Sequence, residues 1–287
     1  VFSPLSAGLI EEFQEILAEE NIPLLQGTHE SMVAVKKYFQ WLQILEKGAI
    51  KSEDRKKENT DYPFPDRKHL SEHESKNLLR LYEIDVAKDV LVQNANDAVE
   101  AAEQIGYPVV LKVDTAEIPH KTEADIIRLN LNSETELLRA YDEIVANAKK
   151  YDPQAILNGV SVQEMVPKGV EILIGGKVDA TFGPTVMVGL GGTFVEVFKD
   201  YSLKLAPINM ETAYEMIDSL KGSALLYGVR GREKADVDAL AGLIVKVSHL
   251  MYDQSDKVSE LDINPVIVHK EGAGLKAVDA LVVLKKE

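Results

Sequence analysis

Lys112 interrupts the apolar run Val109-Val110-Leu111-Lys112-Val113, and an ammonium buried there without a partner would be costly. Either an anion meets it, or the run is an edge strand with its lysine in water. Eight residues on, His120-Lys121-Thr122-Glu123 follows the helix-resistant Glu117-Ile118-Pro119, which places His120 on a loop. A neutral imidazole can attack phosphorus at about pH 7, and a loop would let it travel between sites; a surface histidine in a turn fits the same residues. The other histidines show no ligand spacing. Near the C-terminus, Glu260-Leu261-Asp262-Ile263-Asn264-Pro265 alternates, setting Glu260, Asp262 and Asn264 on one face, and Asp279 stands in the small, apolar strand Lys276-Ala277-Val278-Asp279-Ala280. Magnesium takes hard oxygen ligands and keeps water and phosphate oxygens in its shell, so one or two carboxylates and an amide oxygen suffice. Gly189-Leu190-Gly191-Gly192-Thr193 could turn backbone N–H groups toward phosphate or simply close a hairpin. Val162-Gln163-Glu164-Met165-Val166-Pro167, with Gly169-Val170-Glu171 after it, reads as strand, turn, strand and could clamp an adenine while a carboxylate holds ribose hydroxyls.

These residues need elements to hold them. Ser71 with Glu74, and Ser133 with Glu136, form capping boxes ahead of helical apolar patterns, and Asp97 to Ile105 is a helix closed by Gly106 and Pro108. Strands are predicted at Val109 to Val113, Ile126 to Leu131, Val160 to Val166, Val170 to Gly175, Thr185 to Gly189 and Phe194 to Phe198. Helices follow at Glu211 to Leu220 and Val237 to Tyr252, then strands at Glu260 to Ile263, Val266 to Val268 and Lys276 to Leu281. Neighbouring strands without an intervening helix indicate α+β layers, not a doubly wound sheet. Before all this, Leu9 to Leu17 and Met32 to Leu45 show helical spacing around a short strand near Leu25, like the last units of an α/β layer. Residues 47–68, with the charge run Lys51 to Asn59 and then Tyr62-Pro63-Phe64-Pro65, read as a solvated linker.

With 287 residues, 45% of them hydrophobic, the chain can bury a large core. It has no Cys, which excludes disulfides and thiolate chemistry, and its formal net charge of -15 disfavours nucleic acid as a partner. No apolar run reaches the length of a membrane span. A cytoplasmic location is expected, and the Val1 start suggests a piece of a longer protein.

The order of these segments resembles the ATP-grasp region of the ADP-forming acyl-CoA synthetases, relatives of succinyl-CoA synthetase. The resemblance rests on Leu70-Ser71-Glu72-His73-Glu74-Ser75-Lys76, Gly106-Tyr107-Pro108-Val109-Val110-Leu111-Lys112-Val113, His120-Lys121-Thr122-Glu123, Val162 to Val166, Gly189-Leu190-Gly191-Gly192, Gly228-Val229-Arg230-Gly231 and Glu260 to Pro265. It implies a two-lobed ATP-grasp domain over 69–287, with residues 1–46 as the tail of a flavodoxin-like CoA-ligase domain. The implied reaction converts acyl-CoA, ADP and phosphate to acid, ATP and CoA through a phosphohistidine. By the same resemblance, Lys112 holds ATP phosphates, Glu164, Met165 and Val166 line the adenine pocket, Glu171 approaches the ribose or phosphates, and Asn264 and Asp279 ligate Mg2+. Asp262 steadies a visiting phosphohistidine, and His120 receives the phosphoryl group. CoA would be bound mainly by upstream domains, in the same gene or an α subunit, and relatives assemble as oligomers. In one respect the sequence departs from the family: Asp125 and Ile126 replace two glycines, which should stiffen the loop and repel phosphate. Two rival expectations keep the fold without the reaction: a regulatory domain of a protein acetyltransferase, and a nucleotide-binding module without turnover.

Overall fold

The computed structural model describes residues 2–3, 11–21, 25–46, 56–58, 60–118, 121–191, 200–229, 231 and 233–285. Two compact units divide the chain, Val1–Asp54 and Arg55–Glu287. In the first, β1 (Phe2–Ser3) pairs in parallel with β2 (Leu25–Gln26) across α1 (Glu11–Glu19), and α2 (Thr28–Glu46) follows. A parallel pair needs such a crossover, so the expected βα step is present. Among the described residues no helix is long and apolar enough to cross a membrane.

The second unit holds two antiparallel sheets, each with its own core. The small lobe has the order β3-β6-β4-β5, from β3 (Asp89–Val92), β4 (Val109–Asp114), β5 (Ile127–Leu131) and β6 (Gly159–Glu164). Against it pack α4 (Ala95–Ile105) and α5 (Glu134–Tyr151), which bury Ala98, Ala102, Leu137 and Ile144 with Val109, Leu111 and Val113. Both helices start on side-chain caps, Asn94 accepting from the Asp97 N–H and Ser133 from the Glu136 N–H, which satisfies N–H groups that a helix leaves unpaired at its start. The expected box at Ser133 is only half formed, because Glu136 accepts from the Asn132 N–H instead.

The large lobe runs β11-β10-β7-β8-β9, with β12 also on β10. Its strands are β7 (Val170–Asp179), β8 (Gly183–Leu190), β9 (Tyr201–Leu205), β10 (Val258–Val268), β11 (Leu275–Ala277) and β12 (Ala280–Leu284). Helix α6 (Met210–Asp218) and the apolar α7 (Val237–Asp253) cover this sheet. Strands β3 and β9 are absent from the expected set: β3, Asp89-Val90-Leu91-Val92, does not alternate, and the alternation of β9, Tyr201-Ser202-Leu203-Lys204-Leu205, is only five residues long with its apolar side chains exposed. The expected strand at Phe194 to Phe198 lies outside the described residues. Two expectations near the C-terminus change. Glu260 to Val268 is one strand, β10, with a register shift between Ile263 and Val266, not two. Lys276 to Leu281 is not one strand: Val278 and Asp279 fall in the break between β11 and β12, where their neighbours pair with different stretches of β10.

Helix α3 (Glu72–Leu81) ties the lobes together. Its N-cap Ser71 accepts from the Glu74 N–H while Glu74 accepts from the Ser71 N–H, the expected capping box. Leu78 and Leu79 bury into the large-lobe core, each stabilising by about 2 kcal/mol, and Ser75 Oγ accepts from the Val282 N–H of β12. Its first turn instead faces the small lobe, where Asp114 of β4 accepts from the His73 N–H. The chain ahead of α3 is packed where it is described: Tyr62 and Phe64 lie against the large-lobe core, and Lys57 pairs with Asp256. At Lys57, Tyr62 and Phe64 the stretch read as a solvated linker is therefore anchored.

Candidate active site

Strand β4 lies between β6 and β5, with Lys112 opposite Ser161 on one side and Ile127 on the other. An edge lysine is thereby excluded. The Lys112 ammonium is buried and donates to Glu72 Oε1 at 2.9 Å and to Asp279 Oδ2, in the large lobe, at 3.2 Å. Glu72, at the start of α3, also accepts from Lys76 Nζ at 2.8 Å, Gln163 Nε2 at 2.8 Å and Lys121 Nζ at 2.9 Å. Burial pushes the Glu72 carboxyl up, but Lys112, Lys76 and Lys121 outweigh it and hold the group well below the usual carboxylate range. Burial would likewise lower the pKa of Lys112; Glu72 and Asp279 overcome it, so the ammonium stays charged.

A cavity of about 750 Å³ opens between the sheets beside Lys112, lined by Glu164, Met165, Val166, Glu171 and Asp279, with Ile267 and Val278 as apolar walls. Burial acts to raise the Glu164 pKa, but Lys276, at 2.6 Å, and the Lys88 N–H, at 2.8 Å, draw it down. This fixes the strand end from which Met165 and Val166 project. Glu171 is exposed on β7, and its carbonyl accepts from the Gly191 N–H at 2.7 Å. A Cβ at Gly191 would meet the Glu171 backbone at 2.9 Å, so the β8 turn approaches closer than a side chain permits. Gly192 and Thr193 lie outside the described residues.

A smaller cavity of about 340 Å³ adjoins the first, sharing Thr122, Ile127 and Asp279. Glu72, Lys121, Asp262 and Asn264 line it as well. Glu260, Asp262 and Asn264 do alternate outward from β10, and the Asn264 N–H donates to the Asp279 carbonyl at 3.2 Å. Burial, then the Asp279 charge, raises the Asp262 pKa. Lys112, Asn264 and Asp279 thus come together, with Asp262 beside them. His120 lies outside the described residues.

The loop after His120 departs from expectation. Asp125 takes a left-handed backbone with φ 53°, as a glycine would, at a cost of about 1–2 kcal/mol. Arg128 binds its carboxylate at 2.7 and 3.1 Å and Asn147 at 3.0 Å, while Ile126 is fully buried in the small-lobe core. The added charge is neutralised locally, and the β-branched side chain supplies packing.

An ATP-grasp domain profile matches residues 65–284. The acetate–CoA ligase [ADP-forming] II β subunit of Pyrococcus furiosus is 40% identical over 216 residues, 75% of this chain and 92% of that subunit. The chain belongs to the ATP-grasp domains of the ADP-forming acyl-CoA synthetases. The 4-hydroxybutyrate–CoA ligase [ADP-forming] of Nitrosopumilus maritimus is 37% identical over 94% of this chain, which spans 39% of that protein's length. Among solved structures, acetyl-coenzyme A synthetase 1 of Ca. Korarchaeum cryptofilum, in complex with coenzyme A and Mg-AMPPCP and with its phosphohistidine segment pointing towards the nucleotide binding site, aligns with TM-score 0.67 and 36% identity. The alignment covers 85% of this chain and 98% of that one.

An ATP-grasp domain implies a divalent cation, and the donor set fits one held jointly with phosphates. No group of three His, Cys, Asp or Glu side chains among the described residues could cage a metal, yet Asp279 and the Asn264 amide line one cavity, enough for magnesium that keeps water and phosphate oxygens. Several residues of this ATP-grasp site escaped chemical reading: Glu72, Lys76, Lys121, Gln163 and Lys276. A signal existed for the first two. Glu72 and Lys76 share a helical face with Leu79, and a charged i,i+4 pair on an apolar stripe marks a buried ion pair.

Proposed function

We propose that this chain is the nucleotide-binding part of an ADP-forming acyl-CoA synthetase, which interconverts acyl-CoA, ADP and phosphate with acid, ATP and CoA through a phosphohistidine. The observation that carries this reading is the meeting of Lys112 and Asp279, one from each lobe, at the boundary of two adjoining cavities. The larger cavity suits a nucleoside: Met165 and Val166 would take the adenine, Glu164 would fix their strand end, and Glu171 would reach the ribose or phosphates. Lys112 would neutralise phosphate oxygens in a site shielded from water, where a fixed charge acts most strongly. Asn264 and Asp279 would hold Mg2+, which supplies charge neutralisation when bound. Asp262 would orient a phosphohistidine and His120 would accept the phosphoryl group.

In this reading residues 1–46 are the tail of a flavodoxin-like CoA-ligase domain, 47–68 connect it, and 69–287 form the ATP-grasp domain. CoA and the acyl group would be bound mainly by the remaining CoA-binding domains, in an oligomeric, cytoplasmic enzyme. The test joins this chain to those domains and supplies γ-labelled ATP with Mg2+. Acid-labile, base-stable label on protein is expected; its absence, with nucleotide still bound, would favour a module without turnover. Full turnover after His120→Ala would remove that residue from the relay.

A further inference from the structure

We propose that Lys121 is the cation that grips the terminal phosphoryl group of the nucleotide where the two cavities meet, and that Glu72 is the positioning residue that sets Lys121 and Lys112 on either side of it. The inference rests on the nucleotide-binding reading above and assigns two residues beyond it. Glu72 holds the two ammoniums on different oxygens, Lys112 on Oε1 and Lys121 on Oε2, each at 2.9 Å. Lys112 lines the larger cavity and Lys121 the smaller, and Thr122 and Asp279 belong to both. One carboxylate therefore places a positive charge on each side of the boundary.

Neutralising Glu72 does not require Lys121. The fully buried Lys76 and the buried Lys112 already pair with this carboxylate, and Gln163 donates to it as well. Three ammoniums meet on the one carboxylate of Glu72. Lys112 has Asp279 as a second partner and Lys76 has the attraction of Asp89, whereas Lys121 makes its ion pair with Glu72 at the wall of the smaller cavity. Any share of Asp279 given to a divalent cation frees Lys112 further. The Lys121 side chain, only 12% exposed, is held at its tip by Glu72, and its carbonyl accepts from the N–H of the buried Ile126 at 3.2 Å. It is a preset cation, which loses little entropy on meeting phosphate.

Calorimetry of the 287-residue chain with Mg2+ and either AMPPCP or AMPCP tests this, because the two analogues differ by the terminal phosphate. Lys121→Ala should weaken AMPPCP by about tenfold or more, the loss expected for one charge-assisted hydrogen bond, and leave AMPCP near wild type. Lys121→Arg should retain most of the preference. Glu72→Asp, which keeps the charge and shortens its reach, should lose part of it. Equal weakening of both analogues in Lys121→Ala, or no change in either, would overturn the proposal. A wild-type chain that binds neither analogue would instead defeat the nucleotide reading on which it stands.

Discussion

At the scale of the residue, the site depends on a carboxylate that lines the smaller cavity and not the larger. Glu72 faces three ammoniums within 2.9 Å, so replacing it by the neutral Gln leaves buried like charges without their counterion. Breaking a buried ion pair from one side costs about 3–5 kcal/mol, and Glu72→Gln should lower the unfolding free energy of the chain by roughly that amount in urea titration. Loss of less than about 1 kcal/mol would mean that water reaches the cluster and screens it. The same group sets an acid limit. Because its folded pKa is held below that of an ordinary glutamate, its contribution is complete above the unfolded value, about 4.3, and disappears as pH falls below it. Below about pH 4.5 unfolding should therefore take up protons, and stability should fall more steeply with falling pH in wild type than in Glu72→Gln. In the sequence, Glu72 stands inside a capping box and a resemblance motif, and neither shows what its carboxylate meets. Its partners are 4, 40 and 49 positions away, and only the first of those separations leaves a periodic trace.

At the scale of the element, helices announced themselves better than the loop that matters most. Capping at Ser71 and Ser133 followed from local chemistry, since the side chain that starts each helix bonds a backbone N–H within the next turn. Strands β3 and β9 were missed because a half-buried strand of four or five residues with mixed exposure carries too short a pattern. The substitution of Asp125 and Ile126 for glycine was legible as a departure, and its consequence was not. A left-handed φ of 53° and a carboxylate bound by Arg128 and Asn147 depend on β5 and α5 lying alongside the loop. This makes a double-mutant prediction. Arg128→Ala frees a carboxylate on the wall of the larger cavity and should weaken ATP binding severalfold, more so at low salt. Asp125→Gly alone should leave affinity near wild type, and added to Arg128→Ala it should restore the loss. If the double variant binds as poorly as Arg128→Ala, Arg128 acts through the fold of the loop and not through the Asp125 charge.

At the scale of the whole second unit, two lobes with separate cores meet through polar contacts that include Lys112 with Asp279, Lys276 with Glu164, the first turn of α3 with β4, and Asp89 of β3 with His73 and Arg80 of α3. Most of the lobes' strands and both charged partners of the first contact are legible in the sequence, the latter because each interrupts an apolar run. The sequence could not supply their meeting, which follows from the break between β11 and β12 that brings Asp279 out of the strand expected to contain it. The position gives Asp279 two competing partners, the ammonium it touches in this structure and the divalent cation its cavity suits. Without the cation its carboxylate faces incoming phosphates and keeps Lys112 engaged, so both effects oppose the nucleotide. With the cation present, the same carboxylate works for binding. Asp279→Ala should therefore leave the thermal transition within a few degrees of wild type, since the side chain is part-exposed, while removing most of the gain in ATP affinity that Mg2+ gives. Calorimetric titrations with Mg2+ and with chelator measure that gain directly. An Asp279→Ala chain that still binds ATP about tenfold or more tightly with Mg2+ than without it would move the cation to other ligands and leave Asp279 as a partner of Lys112 alone.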